Sequence, residues 1–232
     1  TSFQSTPLLV DETLYYCTPF NRVFALNPET GQEKWIFDPE VDPAGRPLKT
    51  CRGLSSWKDS KKNQADVCYH RIVGITMDVE LFSIDGKTGK LCDDFGNKGI
   101  VNLRKGLGNH PDTYYWSSSP PAIIGNKLIV GGSVIDNLSI NIPGGVVRAY
   151  DIRTGKLIWY WDPIPPGKEA VLDDDGNHLY QRGTANVWSI ISTDPDLNMI
   201  YLPTGNASPD YYGGHRKGLD YYNSSVVALN AS

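Results

Sequence analysis

A turn motif that recurs along the chain constrains the fold more than any other feature of this sequence. Its clearest copy is Asp151-Ile152-Arg153-Thr154-Gly155, followed by Lys156 and, shortly after, Trp159. Related copies begin at Asn27 and Asp85, and the opening of a further copy lies at Asn230. In such a turn the Asp or Asn side chain accepts hydrogen bonds from amides two residues on, and glycine takes a positive φ. We expect the same strand–turn–strand unit at each copy.

The repeat predicts an all-β fold, a β-propeller of about four blades. An apolar or alternating run precedes each copy, and a tryptophan after the turn can pack between neighbouring sheets. A β-sandwich also needs many short strands, but it does not explain a turn-and-tryptophan motif once per block. The copies are unevenly spaced, which indicates loops of different length on a constant unit. We place the blades at roughly 1–45, 46–105, 106–165 and 166–232.

Composition excludes several classes of protein. The formal net charge of −4 comes from 22 basic and 26 acidic residues, which are mixed along the chain, so no nucleic-acid-binding stripe is expected. No apolar run is long enough for a membrane span. The four histidines show no metal-ligand spacing. The last residues stop inside a repeat, so we expect a fragment.

The four cysteines leave two interpretations open. An even number is compatible with disulfides formed in an oxidising compartment, in any of three pairings. Buried reduced cysteines acting as small apolar residues are an equal alternative. For any single bridge we expect Cys51 to pair with Cys68, because both lie in the same excursion between strands.

The repeat resembles the tryptophan-docking motif of propellers that bind pyrroloquinoline quinone (PQQ). Further phrases resemble the membrane-bound quinoprotein dehydrogenases of glucose, quinate/shikimate and polyols. These phrases are Cys17-Thr18-Pro19-Phe20, Thr50-Cys51-Arg52-Gly53, Gly132-Ser133-Val134-Ile135-Asp136-Asn137 and Gly213-Gly214. A complete propeller of that family has eight blades behind a membrane anchor. The resemblance therefore implies that this chain is the first half of the propeller, with its catalytic groups beyond residue 232 and none within it.

The resemblance also implies a set of cofactor contacts. Trp188 would form the aromatic floor under the quinone, because it stands as far before Asn206 as the stacking tryptophan stands before a ligand asparagine in related alcohol dehydrogenases. Arg71 would hold a quinone carboxylate, since a guanidinium can donate two parallel hydrogen bonds. Ser118, Ser119 and Asn137 would add polar contacts. The alternative for each is a structural residue.

The same resemblance implies a metal site for Ca²⁺ or Mg²⁺. Asp136 and Asn206 would supply oxygen ligands, which these cations prefer. Capping of turns is the alternative for both residues. Glucose-specific members carry a histidine where Phe20 stands, so quinate, shikimate or an open-chain polyol becomes a better expected substrate than glucose.

The sequence thus predicts part of a PQQ-dependent dehydrogenase of a sugar or polyol. In the full protein the resemblance implies a periplasmic location at the inner membrane and ubiquinone as the electron acceptor. The isolated fragment is expected to be inactive and to dimerise through its open blade faces or to fold poorly. The competing function is a non-catalytic propeller that serves as a scaffold or assembly factor and binds partners in place of a cofactor.

Overall fold

The computed structural model of the chain describes residues 2–46, 49–169, 171–172 and 178–232. Its regular structure is β-strand, apart from three 3-10 helices of three residues each, within these ranges. The expected all-β fold is confirmed. The acidic run at 173–177, interpreted as a hairpin tip, lies outside the described residues. None of the helices in the described ranges is long and apolar enough to cross a membrane.

The strands form four antiparallel meanders, which we call blades 1 to 4. Blade 1 consists of β1 (Leu8–Val10), β2 (Thr13–Cys17), β3 (Val23–Leu26) and β4 (Glu33–Phe37). Blade 2 consists of β5 (Ser55–Lys58), β6 (His70–Ile75), β7 (Glu80–Asp85) and β8 (Ile100–Asn102). A short ladder of β9 (Tyr115–Trp116) and β12 (Ser133–Val134) accompanies blade 3, which consists of β10 (Ala122–Ile124), β11 (Lys127–Val130), β13 (Val147–Asp151) and β14 (Leu157–Trp161). A second ladder, β15 (Val171–Leu172) with β16 (His178–Leu179), precedes blade 4, which consists of β17 (Ser192–Asp194), β18 (Met199–Pro203) and β19 (Val226–Asn230).

The first strands of the blades stand next to one another. β1 contacts β5, β5 contacts β10, and β10 contacts β17. One apolar cluster fills each gap between neighbouring blades, and blade 2 contributes to two of them: Ile72 faces blade 1, while Val73 faces blade 3. Successive residues of a strand point to opposite faces, so a sheet packed on both sides needs apolar residues throughout. The meanders are therefore stacked radially with their first strands innermost.

The predicted turn chemistry is confirmed at each complete copy of the motif. Asp85 Oδ1 accepts from the amides of Lys87 and Thr88 at 3.0 and 2.9 Å. Asp151 and Asn27 accept from the corresponding amides of their own turns. The glycine of each turn has a φ near +70°, a conformation that strains any other residue.

Tryptophan docking between blades is also confirmed, for two of the copies. Trp35 in β4 donates its indole N–H to the Gly86 carbonyl of blade 2 at 3.1 Å. Trp159 in β14 donates to the Ala231 carbonyl, next to the start of the fourth copy, also at 3.1 Å. Each ring thus joins the outer strand of one blade to the turn of the next.

The expected Cys51–Cys68 bridge is wrong. The disulfides join Cys17 to Cys51 and Cys68 to Cys92, each with a Cα–Cα distance of 6.0 Å. Cys51 precedes β5 and Cys68 follows it, so the strand separates them across the length of blade 2, beyond the reach of a disulfide. Cys51 packs in the cluster between blades 1 and 2, whereas Cys68 packs in the cluster between blades 2 and 3.

Candidate functional site

The segments that lead into the first strands meet around the inner edge of the blades. Thr6 donates its amide to the Arg52 carbonyl at 2.9 Å, and Arg52 donates its amide to the Ser118 carbonyl at 2.8 Å. Ser119 Oγ continues the series by donating to the Trp188 carbonyl at 2.7 Å. In a meander the chain enters the first strand at the end where the second strand turns into the third. The loops after β11 and β18 therefore share this end, which we call the site end.

Arg52 and Trp188 form the centre of this arrangement. The Arg52 guanidinium lies 5.3 Å from the centroid of the Trp188 ring, a cation–π distance. The same guanidinium donates to Ser118 Oγ. Trp188 is 47% exposed, so part of its side chain is accessible to solvent. An exposed indole beside a cation is suited to a flat, anionic ligand.

Behind Trp188 lies a buried polar atom without a partner. Asn186 is 3% exposed, and its Oδ1 has no hydrogen-bond partner in the described part of the chain. Gly205 packs here: a Cβ at this position would lie 3.4 Å from both Asn186 Oδ1 and Trp188 Nε1. Since buried side-chain oxygens are normally satisfied, Asn186 offers a free acceptor to a cation or a donor group.

Two site-end loops contact one another beside the predicted metal ligand Asp136. Asn137, in the loop after β12, accepts from the Tyr211 amide at 2.9 Å. Burial and the neighbouring Asp210 carboxylate raise the pKa of Asp136 to about 6. A carboxylate oxygen is a ligand that hard cations prefer.

Asn206 lies on the second of these loops, directly after Gly205. Its Oδ1 accepts from Ser224 Oγ at 2.8 Å, which fixes the amide orientation. No hydrogen bond joins Asp136 to Asn206 among the residues that the structure describes. The structure thus places both predicted ligands at the site end without a direct contact between them.

The structure does not bring Arg71 to this cluster. Arg71 lies in β6, the second strand of blade 2, and is fully buried. Its Nη2 donates to Asp94 at 2.6 Å, and Nη1 donates to Ser83 at 3.4 Å. The guanidinium already has a carboxylate partner at the interface between blades 2 and 3.

Sequence reasoning missed Arg52 and Asn186. In the sequence, Arg52 stood out only as part of a phrase that resembles the family. Its position before β5, however, corresponds to the position of Ser118 before β10. Asn186 stands two residues before Trp188, in a segment between β16 and β17 where no motif of the sequence marks it. Phe20, by contrast, lies in the β2–β3 turn of blade 1, where its side chain is exposed.

Comparison with known proteins identifies the family. The family model described as the glucose/ethanol/alcohol dehydrogenase β-propeller domain (PQQ) matches residues 1–232. The chain belongs to this quinoprotein dehydrogenase family. The all-β propeller fold and the expected family resemblance are thereby confirmed.

Individual relatives agree with this result. The quinate/shikimate dehydrogenase (quinone) of Acinetobacter baylyi is 35% identical over 99% of the chain, and the quinoprotein glucose dehydrogenase of Escherichia coli is 38% identical over 98%. The chain spans only 30% and 29% of their respective lengths. The crystal structure of a quinohemoprotein alcohol dehydrogenase from Comamonas testosteroni superimposes with a TM-score of 0.73 at 23% identity, covering 99% of the chain and 33% of that structure. This last likeness shows the fold.

Proposed function

We propose that the protein containing this chain is a PQQ-dependent dehydrogenase of a sugar or polyol, and that the chain supplies one side of its cofactor site. The observation that carries the proposal is the Arg52–Ser118–Trp188 cluster at the site end. An accessible indole next to a cation offers the surface that a flat, anionic ring system needs. The orphaned Asn186 oxygen beside Gly205 adds a polar contact to the same surface.

The residues present fit a flat quinone with carboxylate groups. Trp188 provides an aromatic surface for the ring system, while Ser118 and Ser119 provide hydroxyl contacts. We assign the carboxylate contact to Arg52 and not to Arg71, because Arg71 is buried and paired with Asp94. A guanidinium partly held by Ser118 is oriented before the ligand arrives, which reduces the entropy lost on binding.

The donor set also fits a divalent cation such as Ca²⁺ or Mg²⁺. Asp136, Asn206 and Asn137 offer carboxylate and amide oxygens, and a bound cation would lower the pKa of Asp136 from about 6. When bound, the quinone supplies the capacity to accept the reducing equivalents of an alcohol, and the cation polarises it. The chain's own residues hold and orient these groups and exclude water from one side.

The remaining functions belong to parts of the protein beyond this chain. We assign the general base that removes the hydroxyl proton, and the transfer of electrons to ubiquinone, to those parts. Two disulfides are consistent with a periplasmic location, because such bridges persist in oxidising compartments. β19 has alternately exposed residues, which supports packing against a further blade or a second copy of the chain.

Titration of the metal-free apoprotein with PQQ and Ca²⁺ tests this proposal. We expect quenching of tryptophan fluorescence on binding, and dye reduction with quinate, glucose or glycerol that needs both additions. Arg52→Gln should weaken PQQ binding about tenfold or more, since a charge-assisted contact contributes about 1.5–3 kcal/mol. Arg104→Gln is the matched control, because Arg104 pairs with the exposed Asp112. PQQ binding that is unchanged in Arg52→Gln and Trp188→Leu would leave the cluster a structural role only.

A further inference from the structure

A cavity of about 680 Å³ lies between the outer strands of blades 2 and 3. Strand β8 lines it on one side with Val101 and Asn102, and strand β14 lines it on the other with Leu157 and Tyr160. A cavity of this size suits a small molecule. Because the candidate cofactor site lies at the first, innermost strands, the cavity is a separate feature of the molecule.

A buried arginine of blade 3 lines the same cavity. Arg148 and Tyr150 stand two residues apart in β13, so their side chains point to the same face of the sheet. Arg148 is 1% exposed, and its Nη1 donates to the Lys105 carbonyl at 3.3 Å. The centroid of the Tyr180 ring lies 5.7 Å from the guanidinium carbon. The guanidinium is therefore held from the segment after β8 and from the segment after β16.

One edge of this guanidinium has no partner. Neither Nε nor Nη2 of Arg148 makes a hydrogen bond to any residue that the structure describes. These two nitrogens carry parallel N–H groups, and such a pair can bind both oxygens of a carboxylate at once. Since buried donors are normally satisfied, the free edge points to a ligand that carries a carboxylate.

The rest of the lining fits an apolar, flat body. Leu157 and Leu179 supply aliphatic surface, and Tyr160 packs edge-on against Tyr180 with ring centroids 5.1 Å apart. Burial raises the pKa of Tyr150 to about 12, so its hydroxyl stays protonated at neutral pH and is able to donate. Apolar and aromatic walls with a few polar groups are typical of small-molecule sites.

We propose that this cavity is a second ligand site, which binds a small aromatic carboxylate at a place separate from the quinone. The carboxylate accepts the paired N–H groups of Arg148, and the Tyr150 hydroxyl supplies a further donor. The ring of the ligand contacts Leu157 and Leu179. The site is independent of the dehydrogenase function proposed above. A neutral aromatic molecule or a small anion would satisfy only one half of it.

Calorimetric titration with benzoate tests this site in the protein that contains this chain, with PQQ and Ca²⁺ at saturation. Benzyl alcohol lacks the anion and acetate lacks the ring, so each should bind about tenfold more weakly than benzoate, or worse. Arg148→Met should weaken benzoate binding about tenfold or more and leave benzyl alcohol binding unchanged. Arg22→Gln is the matched control, because Arg22 pairs with the exposed Asp38 in blade 1.

Leu157→Trp is a second variant, which keeps Arg148 and fills the cavity. It should weaken benzoate binding about tenfold or more, while its thermal unfolding midpoint without ligand stays near that of the wild type. Benzoate binding that is absent, or equal in the wild type and both cavity variants, would overturn the proposal. Acetate or benzyl alcohol that binds as tightly as benzoate would overturn it too. Benzoate that binds only when PQQ is left out would do the same, because the two ligands would then share one site.

Discussion

Two different kinds of contact hold neighbouring blades together. Between blades 1 and 2, and between blades 3 and 4, a docking tryptophan reaches from an outer strand to the next turn. Between blades 2 and 3 the corresponding position is Asp93, and Phe95 is buried there. The Gly96 amide donates to the Thr154 carbonyl at 2.9 Å, so a backbone contact replaces the indole.

The presence of Asp93 in place of a docking tryptophan goes with other differences at the interface between blades 2 and 3. The Cys68–Cys92 disulfide and the Arg71–Asp94 pair lie at this interface. A cavity of about 680 Å³ remains beside Gly155, the turn glycine that elsewhere receives a tryptophan. The fully buried Arg148 lines it, and its Nε and Nη2 have no hydrogen-bond partner in the described ranges. The cavity beside the docking Trp35 is smaller, about 230 Å³, so the interface with the loop and disulfide leaves more open space.

The largest expected effect comes from removing a docking ring. Trp35→Ala should lower the free energy of unfolding by about 4 kcal/mol, since large-to-small changes at packed aromatic positions cost about 3–5 kcal/mol. Trp35→Phe keeps the packing and loses only the hydrogen bond to Gly86, so it should cost about 1 kcal/mol. Chemical denaturation of the protein that contains this chain measures both. Equal losses in the two variants would show that the hydrogen bond, and not the ring, holds the interface.

Removing the Cys68–Cys92 bridge tests the interface between blades 2 and 3, which has no docking tryptophan at the turn. The bridged residues are 24 apart in sequence, and closing a loop of that size stabilises a protein by about 3 kcal/mol. The double variant Cys68→Ala/Cys92→Ala should therefore unfold at lower denaturant than the wild type. A midpoint that does not move would mean that Phe95 and the backbone contact seal this interface without the bridge.

A buried carboxyl in blade 3 should make stability depend on pH. Burial raises the pKa of Asp162, which follows β14, to about 6. The pKa of Asp162 in the folded protein lies above that of an unfolded aspartate. The loss of stability caused by ionising this carboxyl is therefore absent below about pH 4 and complete above about pH 6. Asp162→Asn keeps the hydrogen bond from the Gln181 amide. It should raise stability at pH 7 by about 2 kcal/mol.

The wild type should lose stability between pH 4 and 6, while the Asn variant should not. Thermal unfolding midpoints across this range give the measurement. Parallel curves for the two proteins would mean that the Asp162 carboxyl titrates as it does in water.

The smallest expected effects come from replacing the two buried arginines, Arg148 and Arg71, which should change the free energy of unfolding in opposite directions. Arg148→Met should raise the free energy of unfolding by about 1 kcal/mol, because it removes a buried cation that has no carboxylate partner. Arg71→Met should lower it, because Asp94 then loses its guanidinium. Denaturant titrations of the two variants side by side decide this, and a loss of stability in Arg148→Met would show that its contact with the Tyr180 ring outweighs the missing counter-charge.

How much of the structure could be predicted from the sequence depended on how close together along the chain the interacting residues lie. The turns at Asp85 and Asp151 followed from the sequence, because their hydrogen bonds join residues two or three positions apart. The docking of Trp35 and Trp159 followed from the same repeat. Trp188 is a candidate cofactor contact by resemblance to the family. Its role toward a cofactor stays a prediction.

The sequence by itself determined the blades, their turns, the docking rings and the family, since these depend on residues close in the chain or on a recurring motif. Only the tertiary structure decided the disulfide pairing and the pairing of Arg71 with Asp94. It also decided the unsatisfied Asn186 and the cavity beside Arg148. Each of these depends on which faces of distant segments meet once the blades are stacked. That stacking is fixed by contacts between blades, and no spacing along the chain records it.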